Sequence, residues 1–179
     1  MKKRCILIFP IFENMNVIDT IRSQYDPLSK LVSPHITLVF PFESELETSE
    51  LAEHIQNALK DFRSFSLKMK GITVSIEPKE NYLFLNVVQG LQELYGLSRA
   101  LYTGILEKYK SDNYENKYLP HITVGKLKKS ENYGEILDKI GNQETEFSSF
   151  VNDIYVEIIC EDNSSIIEIT HELTVSLCE

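Results

Sequence analysis

The sequence predicts an α+β protein built from two related lobes, and three observations lead there. The stretch Ser33-Pro34-His35-Ile36-Thr37-Leu38-Val39 returns as Leu119-Pro120-His121-Ile122-Thr123-Val124-Gly125, 86 positions further on. The same offset carries the helical pattern beginning near Leu51 towards the one ending at Ile140. It also carries the strand-like runs 65–76 and 82–88 onto 151–162 and 168–174. Self-similarity of such long period implies paired lobes, not independent domains. No Gly-, Pro- or Ser-rich linker divides the chain, and 179 residues suffice for one substantial core. Residues 1–179 are therefore expected to form a single two-lobed domain.

The elements follow in order. Residues 4–9 are a nearly continuous apolar run, as for a strand covered on both faces. Asn14 or Asn16 can cap a helix carrying Val17, Ile18, Ile21 and Tyr25, which Asp26-Pro27 stops. Residues 28–34 lead into the first motif strand, 35–40, which Pro41 ends. Glu43, Glu45, Glu47, Glu50 and Glu53 form an acidic cluster. It could be an interaction patch, but it suits the solvated first turn of a helix with Leu51, Ile55, Ala58, Leu59 and Phe62 on one face. His54 lies beside that stripe and reads as a boundary surface residue. Residues 65–70 alternate, and Ile72, Val74 and Ile76 continue past Gly71, a candidate bulge. Residues 77–81 turn the chain into a strand at 82–88, which could also open the second half.

The longest helical pattern spans 91–109, and Gly96 and Gly104 within it suit close packing. A polar loop, 111–117, precedes the second motif strand, 121–127. A short helix over 131–140 is closed by Gly141. Strand signals fill 147–160, a turn 161–165, and a long alternating strand 166–177. There Ile167, Ile169, Leu173, Val175 and Leu177 share a face with His171, which reads as a core or cleft-lining histidine.

Composition excludes several function classes. The hydrophobic fraction of 42% and charged fraction of 25% are ordinary for a globular chain. A net charge of −9 and a pI near 5.0 argue against long nucleic-acid duplexes as partners, since binding them relies on Lys and Arg neutralising phosphates. A small phosphorylated ligand in a local pocket stays compatible. The basic Met1-Lys2-Lys3-Arg4 precedes an apolar run that stops at Pro10, too short for an export signal. No stretch has membrane-spanning length. Cys5, Cys160 and Cys178 fit no zinc or redox spacing and are expected to be reduced thiols in a cytoplasmic protein. No His/Cys/Asp/Glu cluster has metal-ligand spacing, so no cofactor is expected.

The chemistry lies in the repeated motif. Proline sets an extended approach, and the β-branched run after it favours a strand. Alternation places His35 with Thr37, and His121 with Thr123, on one face, while Ile36, Leu38, Ile122 and Val124 point the other way. Each copy sets an imidazole that titrates near neutral pH beside a hydroxyl able to donate to an anionic oxygen. Phe40, Phe42 and Tyr118 flank the motif strands and could stack a base, or simply pack. Lys126, with Lys128 and Lys129, could steer a phosphate or end a strand in solvent.

The paired Pro-His-Ile-Thr stretches, with Tyr25-Asp26-Pro27 and Leu101-Tyr102-Thr103-Gly104, resemble the 2H phosphoesterase superfamily. That group includes the 2'-5' RNA ligase family and RNA 2',3'-cyclic phosphodiesterases, and the likeness extends to a bacterial branch of phosphoesterases. It covers almost the whole chain, and both copies match at every fixed motif position. The resemblance implies two pseudo-symmetric lobes, each an antiparallel sheet with outer helices, around a central cleft. It implies no metal, His35 as proton donor, His121 as proton acceptor, and Thr37 and Thr123 as phosphate ligands. The sequence itself does not distinguish donor from acceptor. The implied substrate is a cyclic phosphate or 2'-linked phosphodiester on a small nucleotide or short RNA end; the sequence leaves the oligomeric state open, with a monomer the expectation. A cyclic oligonucleotide, an ADP-ribose cyclic phosphate, or a non-catalytic nucleotide-binding module are the alternatives.

Overall fold

The computed structural model describes residues 1–111, 114, 118–140 and 144–175. The 111–117 loop apart from Ser111 and Tyr114, the Gly141 cap, Leu177 and Cys178 lie outside them. Among the described residues, eight strands and four α-helices follow the order β1 (Lys2–Ile8), α1 (Met15–Tyr25), β2 (Ile36–Ser44), α2 (Thr48–Leu59), β3 (Phe65–Ile76), β4 (Asn81–Gln89), α3 (Leu91–Leu101), β5 (His121–Leu127), α4 (Tyr133–Ile140), β6 (Glu146–Val151), β7 (Asp153–Ile159) and β8 (Ser165–Glu172). A 3-10 turn, Gly104–Tyr109, follows α3. The helix expected over 91–109 thus ends at Leu101, because Gly104 takes a left-handed φ of 51°.

All strands belong to one antiparallel sheet in the order β6-β3-β4-β5-β2-β1-β7-β8. The two lobes are its two halves, joined where β5 meets β2. That seam is narrow, with Ile36 and Ile122 as its register pair. β4 flanks β5 as β1 flanks β2, so β4 opens the second repeat. One strand of each repeat crosses over: β3 lies beside β4, and β7 lies beside β1. Each lobe is therefore assembled from both halves of the chain. The strand signals over 147–160 break at Asn152, which separates β6 at one edge from β7 in the other lobe. The sheet curls so far that its two lobes meet beyond β8: Ser64 N donates to Thr174 O at 3.0 Å, and Arg63 bridges Thr174.

Helices cover the outer faces, and two of them lie over the other repeat's motif strand. α1 packs on β5 and α3 on β2. A Cβ on Gly125 would lie 2.8 Å from Leu83 Cδ1 and 3.0 Å from Tyr25 Cβ, so the bare backbone admits α1 to the sheet. Gly71, at φ 76°, sits at the register shift between β3 and β4 and forms the expected bulge. Pro41 does not end β2, which runs on to Ser44 against β1. Beyond Ile36 the strand has left β5, and proline is tolerated on an edge without a ladder partner.

Where β2 and β5 diverge, side chains replace the missing ladder. Tyr118 O–H donates to Thr37 O at 2.8 Å, Ser98 O–H donates to Leu38 O, and Tyr102 Oη accepts from Phe40 N–H at 2.9 Å. Tyr114 O–H in turn donates to Ser98 Oγ. Buried backbone groups left unpaired are costly, so these hydroxyls hold the first motif strand in place.

A polar cluster anchors the outer side of the second lobe. Fully buried Arg4 donates to Glu168 from Nε (2.6 Å) and Nη2 (3.0 Å), and to Ser44 Oγ from Nη1 (2.9 Å). Lys2 and Thr48 also donate to Glu168, each at 2.7 Å. The Arg4 donors hold the Glu168 carboxyl down at about 2, although burial pushes the other way. A register shift between β7 and β8 puts Glu168 beside Ile169 and turns Ile167 outwards, where it is 51% exposed. The expected single apolar face of this strand is interrupted there. His171 stays with Ile169, and partial burial lowers its pKa.

Candidate active site

The site lies on the seam. Continuing the Ile36–Ile122 pairing by one residue sets His35 across from Thr123 and Thr37 across from His121. The two histidines are then diagonal neighbours across the seam, close enough for the charge of His35 to act on His121. Both rings and both threonines are half-buried, while Ile36, Leu38, Ile122 and Val124 are in the core. The alternation read from the motif is what produces this division.

Each ring is held by the same contact. His35 Nδ1 lies 2.9 Å from Ser33 O, and His121 Nδ1 lies 2.6 Å from Leu119 O. A carbonyl only accepts, so each Nδ1 carries the proton, and in the neutral ring Nε2 keeps its lone pair. The proline between carbonyl and histidine fixes the extended turn that makes this contact possible. Among the described residues neither Nε2 has a hydrogen-bond partner, and neither do the Thr37 and Thr123 hydroxyls.

Aromatic rings set the ring planes. Phe84, which pairs with Thr123 across β4 and β5, stacks on His121 with centroids 3.5 Å apart. Phe9 meets His35 edge-on at 6.2 Å. Burial lowers the His121 pKa, the Leu119 carbonyl raises it, and the charge of His35 lowers it, with burial prevailing. His121 is thereby suited to be the neutral partner.

The other candidates fall elsewhere. Phe40 is 48% exposed and meets Tyr118 edge-on at 6.1 Å, on the rim. Phe42 is only 6% exposed and packs on Tyr109, so its ring is core and presents no stacking face. Tyr118, at 7%, is also buried and acts through its hydroxyl on the Thr37 carbonyl. Lys126 is engaged by Glu80 at 2.7 Å. His54 is more than a surface residue: its Nε2 lies 3.0 Å from Leu101 O, tying α2 to the end of α3. Buried Cys5 has its thiol pushed up to about 12 by burial, which leaves no thiolate for nucleophilic work. Among the described residues no three His, Cys, Asp or Glu side chains converge as metal ligands, and no helix is long and apolar enough to cross a membrane.

Sequence reasoning missed Phe84 and Phe9. The alternation of residues 82–88 could have placed Phe84 on a face with Tyr82, but not which strand that face would meet.

A curled antiparallel sheet that brings two Pro-His-Ile-Thr strands together at its seam, with helices outside, defines a protein of the 2H phosphoesterase kind. Known structures carry the same fold. Escherichia coli LigT complexed with 3'-AMP aligns with a TM-score of 0.66 at 16% identity, over 97% of this chain and 98% of that one. Kluyveromyces marxianus Usb1 aligns with a TM-score of 0.55 at 13% identity, over 96% and 98%. The chain belongs to the 2'-5' RNA ligase superfamily, whose family model matches residues 11–157. A Bacillus licheniformis protein, a phosphoesterase by name only, is 30% identical over 133 residues, 74% of this chain and 75% of its own length. An Oceanobacillus iheyensis protein named in the same way is 29% identical over 136 residues, 75% and 76% of the two chains.

Proposed function

We propose that this protein is a metal-independent phosphoesterase that opens a cyclic phosphate, or cleaves a 2'-linked phosphodiester, on a small nucleotide or short RNA end. The observation that carries the reading is the matched anchoring of the two imidazoles. Each Nδ1–H is held by a backbone carbonyl two residues upstream, leaving each Nε2 for chemistry. In-line displacement at phosphorus needs a base at the incoming water and an acid at the departing oxygen, on opposite sides of the phosphate. Two rings on diagonal strand positions suit that demand. His121, the more readily neutral, takes the proton from water, and protonated His35 gives one to the leaving oxygen. Thr37 and Thr123 donate to the equatorial oxygens, where charge accumulates. The 3'-AMP complex of LigT and the uridine monophosphate complex of Usb1 support a nucleotide as ligand.

The test is a panel of nucleoside 2',3'-cyclic phosphates, 2'-5' dinucleotides, cyclic dinucleotides and ADP-ribose cyclic phosphate, assayed with EDTA present. Turnover of the first two classes in EDTA is expected. Turnover that EDTA abolishes and a divalent ion restores would overturn the metal-free mechanism. Preference for either of the last two classes would move the substrate. Tight nucleotide binding with no turnover of any member would make the protein a binding module.

A further inference from the structure

Beside His35 lies a cavity of about 790 Å³. Ser33 and Pro34, which lead into His35, form part of its wall, and so do Phe9, Leu31 and Ile167. Phe9 joins the cavity to the site, since its ring meets both His35 and Tyr155, the latter at 5.3 Å between centroids. The volume lies within the usual range for small-molecule sites, about 300–1,000 Å³. The segment before His35 is itself pinned: Arg22 donates to Asp26 at 2.8 Å and to Val32 O at 2.7 Å.

Glu157 lines this cavity, and nothing in the chemistry proposed above uses it. It pairs with Cys5 in the β1–β7 register and is 5% exposed. Its carboxylate has no hydrogen-bond or ion-pair partner among the described residues. No buried side-chain oxygen there lacks both a partner and solvent, so these oxygens meet solvent, which the cavity supplies. With only solvent on them, these oxygens keep their acceptor capacity for the donors of a ligand. The buried acceptor stands two residues along β7 from Tyr155, about 7 Å of strand, on the path His35–Phe9–Tyr155–Glu157. Ser33 and Pro34, which lead into His35, and Glu157 line the same cavity, so a ligand held at His35 can extend towards Glu157.

We propose that this cavity is a base subsite selective for guanine, with Glu157 as the residue that reads the base. The proposal rests on the nucleotide phosphoesterase reading above. An ionised carboxylate only accepts, through two oxygens side by side. The Watson–Crick edge of guanine offers two adjacent donors, N1–H and N2–H, which match them. Adenine and cytosine set a ring acceptor next to a single amino donor, and uracil flanks its one N–H with carbonyls. Each of these opposes lone pair to lone pair. Phe9, Leu31 and Ile167 supply apolar walls suited to the faces of a flat ring.

The experiment compares kcat/KM for the guanosine, adenosine, uridine and cytidine 2',3'-cyclic phosphates in the wild type, Glu157→Gln and Leu31→Arg. The wild type is expected to prefer guanosine by about tenfold or more, since unmatched buried polar groups discriminate strongly. Glu157→Gln should bring the guanosine-to-adenosine ratio close to parity, because its amide presents a donor to N–H. Leu31→Arg, at an exposed rim position, should do the same by pairing with the carboxylate, and it decides the matter if Glu157→Gln fails to fold. Equal use of all four bases by the wild type would overturn the proposal, as would a guanosine preference that survives both substitutions. Calorimetric titration with GMP and AMP keeps this separate from the reaction. If no cyclic phosphate is turned over, the phosphoesterase reading fails, yet selective GMP binding still supports the subsite. Equal binding of the two, or binding of neither, refutes it.

Discussion

Glu168→Gln tests the energetic account of the second lobe. The wild-type carboxyl titrates at about 2 in the fold, against an ordinary 4.5, chiefly because Arg4 donates to it. At about 1.36 kcal/mol per pKa unit, that difference corresponds to roughly 3 kcal/mol at pH 7. The sign follows from the direction. A depressed carboxyl stabilises the fold above its unfolded pKa and loses that contribution as pH falls through the folded value. By pH 3 roughly 1.5 kcal/mol should remain. In the variant, Arg4 keeps its charge with no exposure to water and no anion beside it, a loss of about 3–5 kcal/mol at pH 7. Urea unfolding of both proteins at pH 7, 5, 4 and 3 reads the difference, in which all other carboxylates largely cancel. The stability gap should be several kcal/mol at pH 7 and narrow by roughly 2 kcal/mol at pH 3. Replacing both partners by apolar residues, Arg4→Met with Glu168→Leu, should recover much of the loss. A gap under about 1 kcal/mol at pH 7, or one that does not change with pH, would refute the reasoning.

Three further outcomes are expected. His35→Ala and His121→Ala should each lower kcat by about 10²–10⁴ with unchanged circular dichroism, and the double variant should be little worse than either. His54→Ala and His171→Ala should leave kcat near the wild-type value, and a reversal of this ranking would reassign the site. Thr37→Ala and Thr123→Ala should cost less than either motif histidine, because water can replace one donor to a phosphate oxygen, and kcat/KM measures it. Finally, the pH–rate profile should be bell-shaped, with an acid limb below the ordinary histidine value because burial lowers the His121 pKa. Phe84→Ala removes the stacked ring and admits water, so that limb should move to higher pH.

The motif was legible because it depends on local rules. Proline, alternation and two β-branched residues place His35 and Thr37 on one face whatever the rest of the chain does. The offset between the copies likewise announced paired lobes. What stayed hidden depends on distant partners. Nothing in residues 147–160 says that Asn152 passes from one end of the sheet to the other lobe, because that requires knowing how far the sheet curls. The partner that Glu168 meets, Arg4, lies 164 positions away in the sequence. Phe42 and Tyr118 look alike in sequence as candidate platforms, and only packing on Tyr109 and the hydroxyl bond to Thr37 distinguish their duties. Glu157 was passed over because a lone acidic residue in a strand carries no signal until its burial is known.

The crossed strands have a consequence for cutting the chain. The turn at 77–80 between β3 and β4 is a surface feature, closed by Glu77 N–H to Glu80 O at 3.2 Å. A break there yields one fragment with β1, β2 and β3 and another with β4 to β8. Neither contains a whole lobe, since β3 has left for the second fragment's sheet and β7 for the first's. Each fragment also carries the helix that covers the other's motif strand. The pieces should therefore be ill-folded apart and reassemble on mixing, with one motif histidine contributed by each. Activity would then report complementation directly, making this fold a ready-made split reporter.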